Sequence, residues 1–162
     1  RKRATYYFGF KNHINVAAEH KLIRAYVVPP ASVHDSQCIE QLVITESAAR
    51  EVYADSAYRS EAISAMLTEN ELKDQIHRKG YRNHPLPESE KEVNREKSRI
   101  RARVEHVFGR QFWFSEYALI RGIGLLRIAA KVALGNLLYN FLQYGVLMEN
   151  KTAVASKALV VA

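Results

Sequence analysis

The chain has 162 residues, 48% of them hydrophobic, which suits one compact domain with its own core. Lys and Arg number 24 against 17 Asp and Glu, a net charge of +7, so an acidic partner is expected, nucleic acid first. One cysteine, Cys38, excludes a disulfide framework within the chain and fits a reducing compartment.

The opening, RKRATYY, has no signal-peptide pattern and runs straight into strand-like sequence, which reads as a piece of a longer reading frame. Residues 6–16, YYFGFKNHINV, alternate. Tyr6, Phe8, Phe10, Ile14 and Val16 fall on one face, and Tyr7, Gly9, Lys11, His13 and Asn15 on the other, predicting a half-buried strand. AAEHK turns the chain. LIRAYVV (22–28) is a second strand, the antiparallel hairpin partner, stopped by Pro29-Pro30. A helix begins near Ser32 to Asp35, both cap-forming residues, with Cys38, Ile39, Leu42 and Val43 as its apolar stripe.

REVYADSAY (50–58) is a short apolar strand ending on Asp55. Residues 60–72 form an amphipathic helix with Ile63, Met66 and Leu67 inward. Residues 73–80 make a short strand, and 81–89 a loop with two prolines. Long helices follow over 90–114 and about 124–145. The second is apolar enough to raise a membrane span. Arg127, Lys131, Asn136, Asn140 and Gln143 would be costly at mid-bilayer, so packing on a soluble core or a partner is expected. The order predicts an α/β fold, a mixed sheet flanked by helices, over 1–146, with a loosely ordered tail over 147–162. Ligands of such sheets sit at the carboxyl ends of strands, where Asp55 lies.

On a wheel of about 100° per residue, Ile100, Val104, Val107 and Phe108 form one stripe of the 90–114 helix. Arg99, Arg103 and Arg110 form a separate basic ridge, and Glu105 shares its side with Ser98 and Arg101. Residues 77–110 hold ten Lys or Arg against five Glu, among them Arg78, Lys79 and Lys97, and suit phosphate contacts. Glu105 has an ordinary alternative, an i,i+4 pair with Arg101. Asp55 has one too, as a turn or cap residue. A functional role needs the two acids to converge, since Mg²⁺ is held by one or two carboxylates with water and phosphate. The histidines lack zinc spacing. Phe112, Trp113 and Phe114 are expected to end the helix in the core, with base stacking as the alternative.

YFGFKNHINV, ASVHDSQ, VYADSAYRS, IHRKGYRNHPL and NREKSRIRARVEHVFG, in this order, resemble the bacterial insertion-sequence transposases of the DDE class. The resembling branch carries a Tyr-x2-Arg-x3-Glu-x6-Lys signature around its glutamate. The resemblance runs from about residue 6 to about 145. It implies an RNase H-like fold and three carboxylates holding two divalent ions, Mg²⁺ or Mn²⁺. It puts the middle acid on Asp55 and the glutamate on Glu105. The implied activity is cleavage and transfer of DNA strands at terminal inverted repeats, with no covalent enzyme–DNA intermediate. DNA and a second copy of the protein are the implied partners, and the location is cytoplasmic, at the nucleoid, with no membrane. Arg101 matches the signature arginine, but Ser98 stands at the tyrosine position and Phe112 at the lysine position. The family's first aspartate belongs to a strand before YYFGFKNHINV, so the chain is expected to be a carboxy-terminal part of the catalytic domain without a full triad. Asp35, in VHDSQ, is read as a helix cap. Two alternatives are a non-catalytic DNA-binding remnant and a dimerisation module built on 124–145.

Overall fold

The computed structural model describes residues 9–45, 50–81, 84–115, 122–149 and 158–161, with side chains for all but 113–115 and 158–161. Tyr6, Tyr7, Phe8 and the side chains of Trp113 and Phe114 lie outside the described residues.

Strands β1 (His13–Ala17) and β2 (Ile23–Val27) form the predicted antiparallel hairpin, in register from His13↔Val27 to Val16↔Ile23. Its turn is closed by Lys21 N donating to Ala17 O at 2.8 Å, with Lys21 at φ 57°. β3 (Glu51–Tyr53) and β4 (Lys73–Asp74) are parallel, joined by the helix α2 (Glu61–Glu69). Ser60 caps α2 by accepting from Ile63 N. Of the strand expected over 6–16, the described part begins only at His13, and Phe10 forms a lone bridge to Pro30 and is exposed.

The expectation of a half-buried first strand does not hold, since all five residues of β1 are buried. Helices cover both faces of the sheet. Val52 and Ala54 pack with Ile39 and Leu42 of α1 (Ile39–Leu42) and with Ile63 and Leu67 of α2. Ile14, Val16 and Tyr53 pack on the other face with Val104 and Val107 of α3 (Glu88–Ser115) and Tyr139 of α4 (Leu125–Glu149). His13 and Asn15, which alternation assigns to the outward face, lie under the α1 layer. There Asn15 Nδ2 donates to Leu42 O at 2.6 Å and His13 Nδ1 hydrogen-bonds the Tyr58 hydroxyl, while Asn15 Oδ1 and His13 Nε2 are buried with no hydrogen-bond partner among the described residues.

The tail also departs from expectation. Leu147–Glu149 continue α4, and Ala158–Val161 form β5 at the centre of the sheet, in the order β2-β1-β5-β3-β4. β5 is antiparallel to β1 and parallel to β3, with Val160 opposite both Val16 and Tyr53. A segment too short to show a period of two can still complete two ladders, and the ladders order it.

The predicted cap at Ser32 to Asp35 falls instead on His34, whose ring accepts from Ser36 N ahead of a 3₁₀ turn, Asp35–Cys38. Asp35 is not a cap. Its carboxylate takes the Lys11 ammonium at 2.7 Å, with His13 Nε2 3.8 Å away.

By length and composition α4 could cross a membrane. In the fold its Asn136, Tyr139, Asn140 and Gln143 all bond to the hairpin or to α3. Its other face leaves Leu126, Leu134, Leu137, Phe141 and Met148 exposed.

Candidate functional site

The site grows from the end of β3. Val52 and Ala54 point into the α1–α2 layer and Tyr53 into the α3–α4 layer, so continued alternation puts Asp55 on the α3 side. Asp55 also starts the 3₁₀ turn Ser56–Tyr58, its Oδ1 accepting from Ser56 N at 2.5 Å and from Ser56 Oγ at 3.2 Å. The capping reading of Asp55 is therefore correct as local structure. It uses one carboxylate oxygen and leaves Oδ2 to face α3.

α3 is seated by Val104 and Val107, both fully buried, with Ile100 and Phe108 beside them. That seating turns Arg101 toward the sheet end. Arg101 Nη1 lies 3.6 Å from Asp55 Oδ2, and Arg101 Nη2 donates to Glu105 Oε1 at 3.2 Å. The i,i+4 pair expected as the ordinary alternative is present, and Asp55 shares the same guanidinium. The Arg101 side chain is 25% exposed, against 49% for Asp55 and 66% for Glu105, so both carboxylates open to solvent above a half-buried cation.

A third group at this end was missed in the sequence. The main chain after β4 stays beside β3, Gln75 N donating to Val52 O and His77 N to Ala54 O at 3.1 Å. His77 is thereby the lateral neighbour of Asp55. Burial holds its imidazole below the ordinary histidine value, Arg101 adds to that, Asp55 opposes it and Lys97 adds again. The sequence pattern puts a short strand before each residue, but the register that sets His77 beside Asp55 comes only from the parallel pairing of β3 and β4. Ser98, at the signature tyrosine position, lies 3.5 Å from His77 Nε2 and donates to Asn94 O at 2.8 Å. Phe112 is 59% exposed, contrary to the expectation that it ends the helix in the core.

The basic residues separate into two groups. Arg99, Arg103 and Lys79 are exposed. Arg78 is ion-paired to Glu90 and clasped by Asn94, which accepts from Arg78 N at 3.1 Å and donates to Arg78 O at 2.9 Å. Lys97 is partly buried among Asp74, Arg59, Arg78 and Glu90, and burial lowers its pKa first of all. Arg110, expected on the basic ridge, donates to Gln143 Oε1 at 2.6 Å and so ties α3 to α4.

Two open carboxylates sharing a cation supply hard oxygen donors, the set that suits Mg²⁺ or Mn²⁺. Among the described residues no cluster of three or more His, Cys, Asp or Glu has metal-binding spacing. Asp35 is engaged by Lys11 and does not join Asp55 and Glu105.

Residues 1–141 match the family model described as "Transposase DDE domain". The chain is 32% identical over 143 residues to "Transposase for insertion sequence element IS1106" of Neisseria meningitidis serogroup B, which covers 88% of this chain and 49% of that relative. The chain thus spans about half the length of the curated relative it matches. No solved structure matches it.

Proposed function

The chain belongs to the DDE transposases of insertion sequences, and from that premise we propose that Asp55 and Glu105 hold divalent metal for cleavage and transfer of DNA strands at element ends. One observation carries the reading: two acids far apart in sequence face a single guanidinium. A cation already stands where a divalent ion would bind, and the flanking oxygens are solvent-accessible. An RNase H-like fold is part of the same proposal. The mixed sheet, with a hairpin on one side and parallel strands on the other, is compatible with it.

When bound, Mg²⁺ or Mn²⁺ supplies an activated water or 3′-hydroxyl and stabilises the leaving oxygen. The chain's own part is positional. The Ser56 amide fixes Asp55 Oδ1 and so sets the rotamer of that carboxylate. Val104 and Val107 fix the pitch of α3 and bring Glu105 to the same end of the sheet. Arg99, Arg103 and Lys79 offer exposed cations to phosphates. Arg101 stands against the two carboxylates, Arg78 and Lys97 lie beside Glu90 and Asp74, and Arg110 serves the helix contact. DNA is the partner, a second copy is expected on it, and the exposed apolar face of α4 supports that assembly. Work on DNA puts the protein in the cytoplasm, at the nucleoid.

The test is Mn²⁺ binding followed by electron paramagnetic resonance, together with nicking of supercoiled DNA. Binding that falls in Asp55→Asn and in Glu105→Gln supports the site. With two carboxylates at hand among the described residues, weak or absent strand transfer by this chain alone is expected. DNA binding with no metal dependence at all would sink the metal reading. Robust strand transfer lost in Asp55→Ala would refute the need for a third acid.

A further inference from the structure

The guanidinium of Arg101 has an incomplete set of partners. Among the described residues it makes one hydrogen bond, to Glu105, and its 3.6 Å approach to Asp55 is too long for another. Its Nε is buried and, among the described residues, has no acceptor. A guanidinium carries five donors in a fixed fork and is best satisfied by an anion that accepts two of them side by side. A phosphate does that, and a pair of separated carboxylates reached at 3.2 and 3.6 Å does not. Arg101 cannot shed its charge, so it leaves these carboxylates only by moving.

We propose that Arg101 is an exchangeable counter-ion that couples DNA binding to metal binding. This rests on the two-carboxylate reading above. In the DNA-free chain Arg101 neutralises Asp55 and Glu105 and competes with a divalent ion for the same oxygens. A DNA phosphate beside α3 draws the fork away, and the freed carboxylates take the ion. The exposed Arg99 and Arg103, on the outer face of the same helix, bring a phosphate backbone within reach. Metal is then recruited where DNA already lies, and the coupling is reciprocal: the metal raises DNA affinity by the factor by which DNA raises metal affinity.

The experiment measures Mn²⁺ affinity by electron paramagnetic resonance in the full chain, with and without a short DNA duplex. The chains compared are the unaltered one, Arg101→Gln and Arg101→Lys. Without DNA, Arg101→Gln is expected to bind Mn²⁺ about 5-fold more tightly or better, within the usual range of coupling factors. Arg101→Lys, a point charge that cannot fork, falls between it and the unaltered chain. DNA then tightens Mn²⁺ binding less in Arg101→Gln than in the unaltered chain. DNA-free affinity at or below that of the unaltered chain in both variants overturns the proposal. Should the glutamine variant fail to fold, the lysine variant decides alone, tighter binding supporting the exchange and equal or weaker binding refuting it. Mn²⁺ binding that depends on Asp55 but ignores Arg101 defeats only this inference. Binding that ignores Asp55 and Glu105 defeats the metal site itself.

Discussion

The side-chain amide of Asn140 pairs with both main-chain groups of Ile23. Ile23 N donates to Asn140 Oδ1 at 2.8 Å, and Asn140 Nδ2 donates to Ile23 O at 2.8 Å. Ile23 lies on β2, the edge strand, so one amide on α4 does what a further strand would do at that residue. Asn140→Ala is therefore expected to strand a buried N–H and a carbonyl together. Loss of about 1–3 kcal/mol in urea denaturation follows from the cost of unsatisfied buried polar groups. A loss within the ordinary surface range, about 0.5 kcal/mol, would show that water replaces the amide.

Arg110 and the pair Arg99 and Arg103 were grouped by the helical wheel, and packing separates them. Arg99→Ala and Arg103→Ala are each expected to weaken DNA binding across sequences. Each should reduce the slope of log affinity against log salt by about 1. Arg110→Ala is expected to leave that slope unchanged and lower stability, because it removes the bond to Gln143 and with it a tie between α3 and α4. Fluorescence anisotropy over a salt series and urea denaturation separate the two outcomes. A reduced salt slope in Arg110→Ala would restore it to the DNA surface.

Burial holds the His13 imidazole below the ordinary histidine pKa, Asp35 opposes this and Lys11 adds to it. The folded state disfavours the charged ring, so the unfolded chain binds the proton first as pH falls. Stability from neutral His13 is complete above the unfolded value of about 6.5 and is lost as pH drops through the folded value. His20 and His77 are shifted the same way, burial being the main cause in each. The urea midpoint is expected to fall between about pH 7 and pH 5, and His13→Asn should flatten that fall. An identical slope in His13→Asn would mean that other groups carry the acid sensitivity.

Much of the fold could be read from local pattern, and what could not was set by neighbours. The hairpin, α2, α3 and α4 follow from periods of two and 3.6 together with their turn residues. The burial of His13 and Asn15 does not, because alternation says which residues share a face and not whether a second helical layer covers it. The same limit applies to Asp35. Its proximity to a helix start suggested a cap, but Lys11, far away in sequence, holds its carboxylate. For the site, the wheel placed Arg101 beside Glu105, and strand parity would have turned Asp55 toward α3. Their meeting at one guanidinium depends on how α3 lies across the sheet, which no spacing within either segment encodes. His77 follows a short strand as Asp55 does, but their adjacency depends on the parallel register of β3 and β4, which neither segment encodes.

The central strand β5 gives the sharpest contrast between tail and core. A residue in a loosely ordered tail tolerates most substitutions within about 0.5 kcal/mol. Val160 instead stands between Val16 on one side and Tyr53 on the other. The N–H of an interior residue of a central strand points to one of its two neighbours, so proline there removes a ladder bond whichever way it points. Without β5 the hairpin β1–β2 and the pair β3–β4 share no backbone ladder, and the end of β3 that presents Asp55 loses its lateral support on that side. Val160→Pro is therefore expected to cost several kcal/mol in urea denaturation. It should also weaken Mn²⁺ binding through Asp55, since the carboxylate would no longer be held opposite Arg101. Val160→Thr, β-branched and able to keep every backbone bond, should retain most of the stability. Equal stability of Val160→Pro and the unaltered chain would remove β5 from the sheet and return residues 158–161 to the tail.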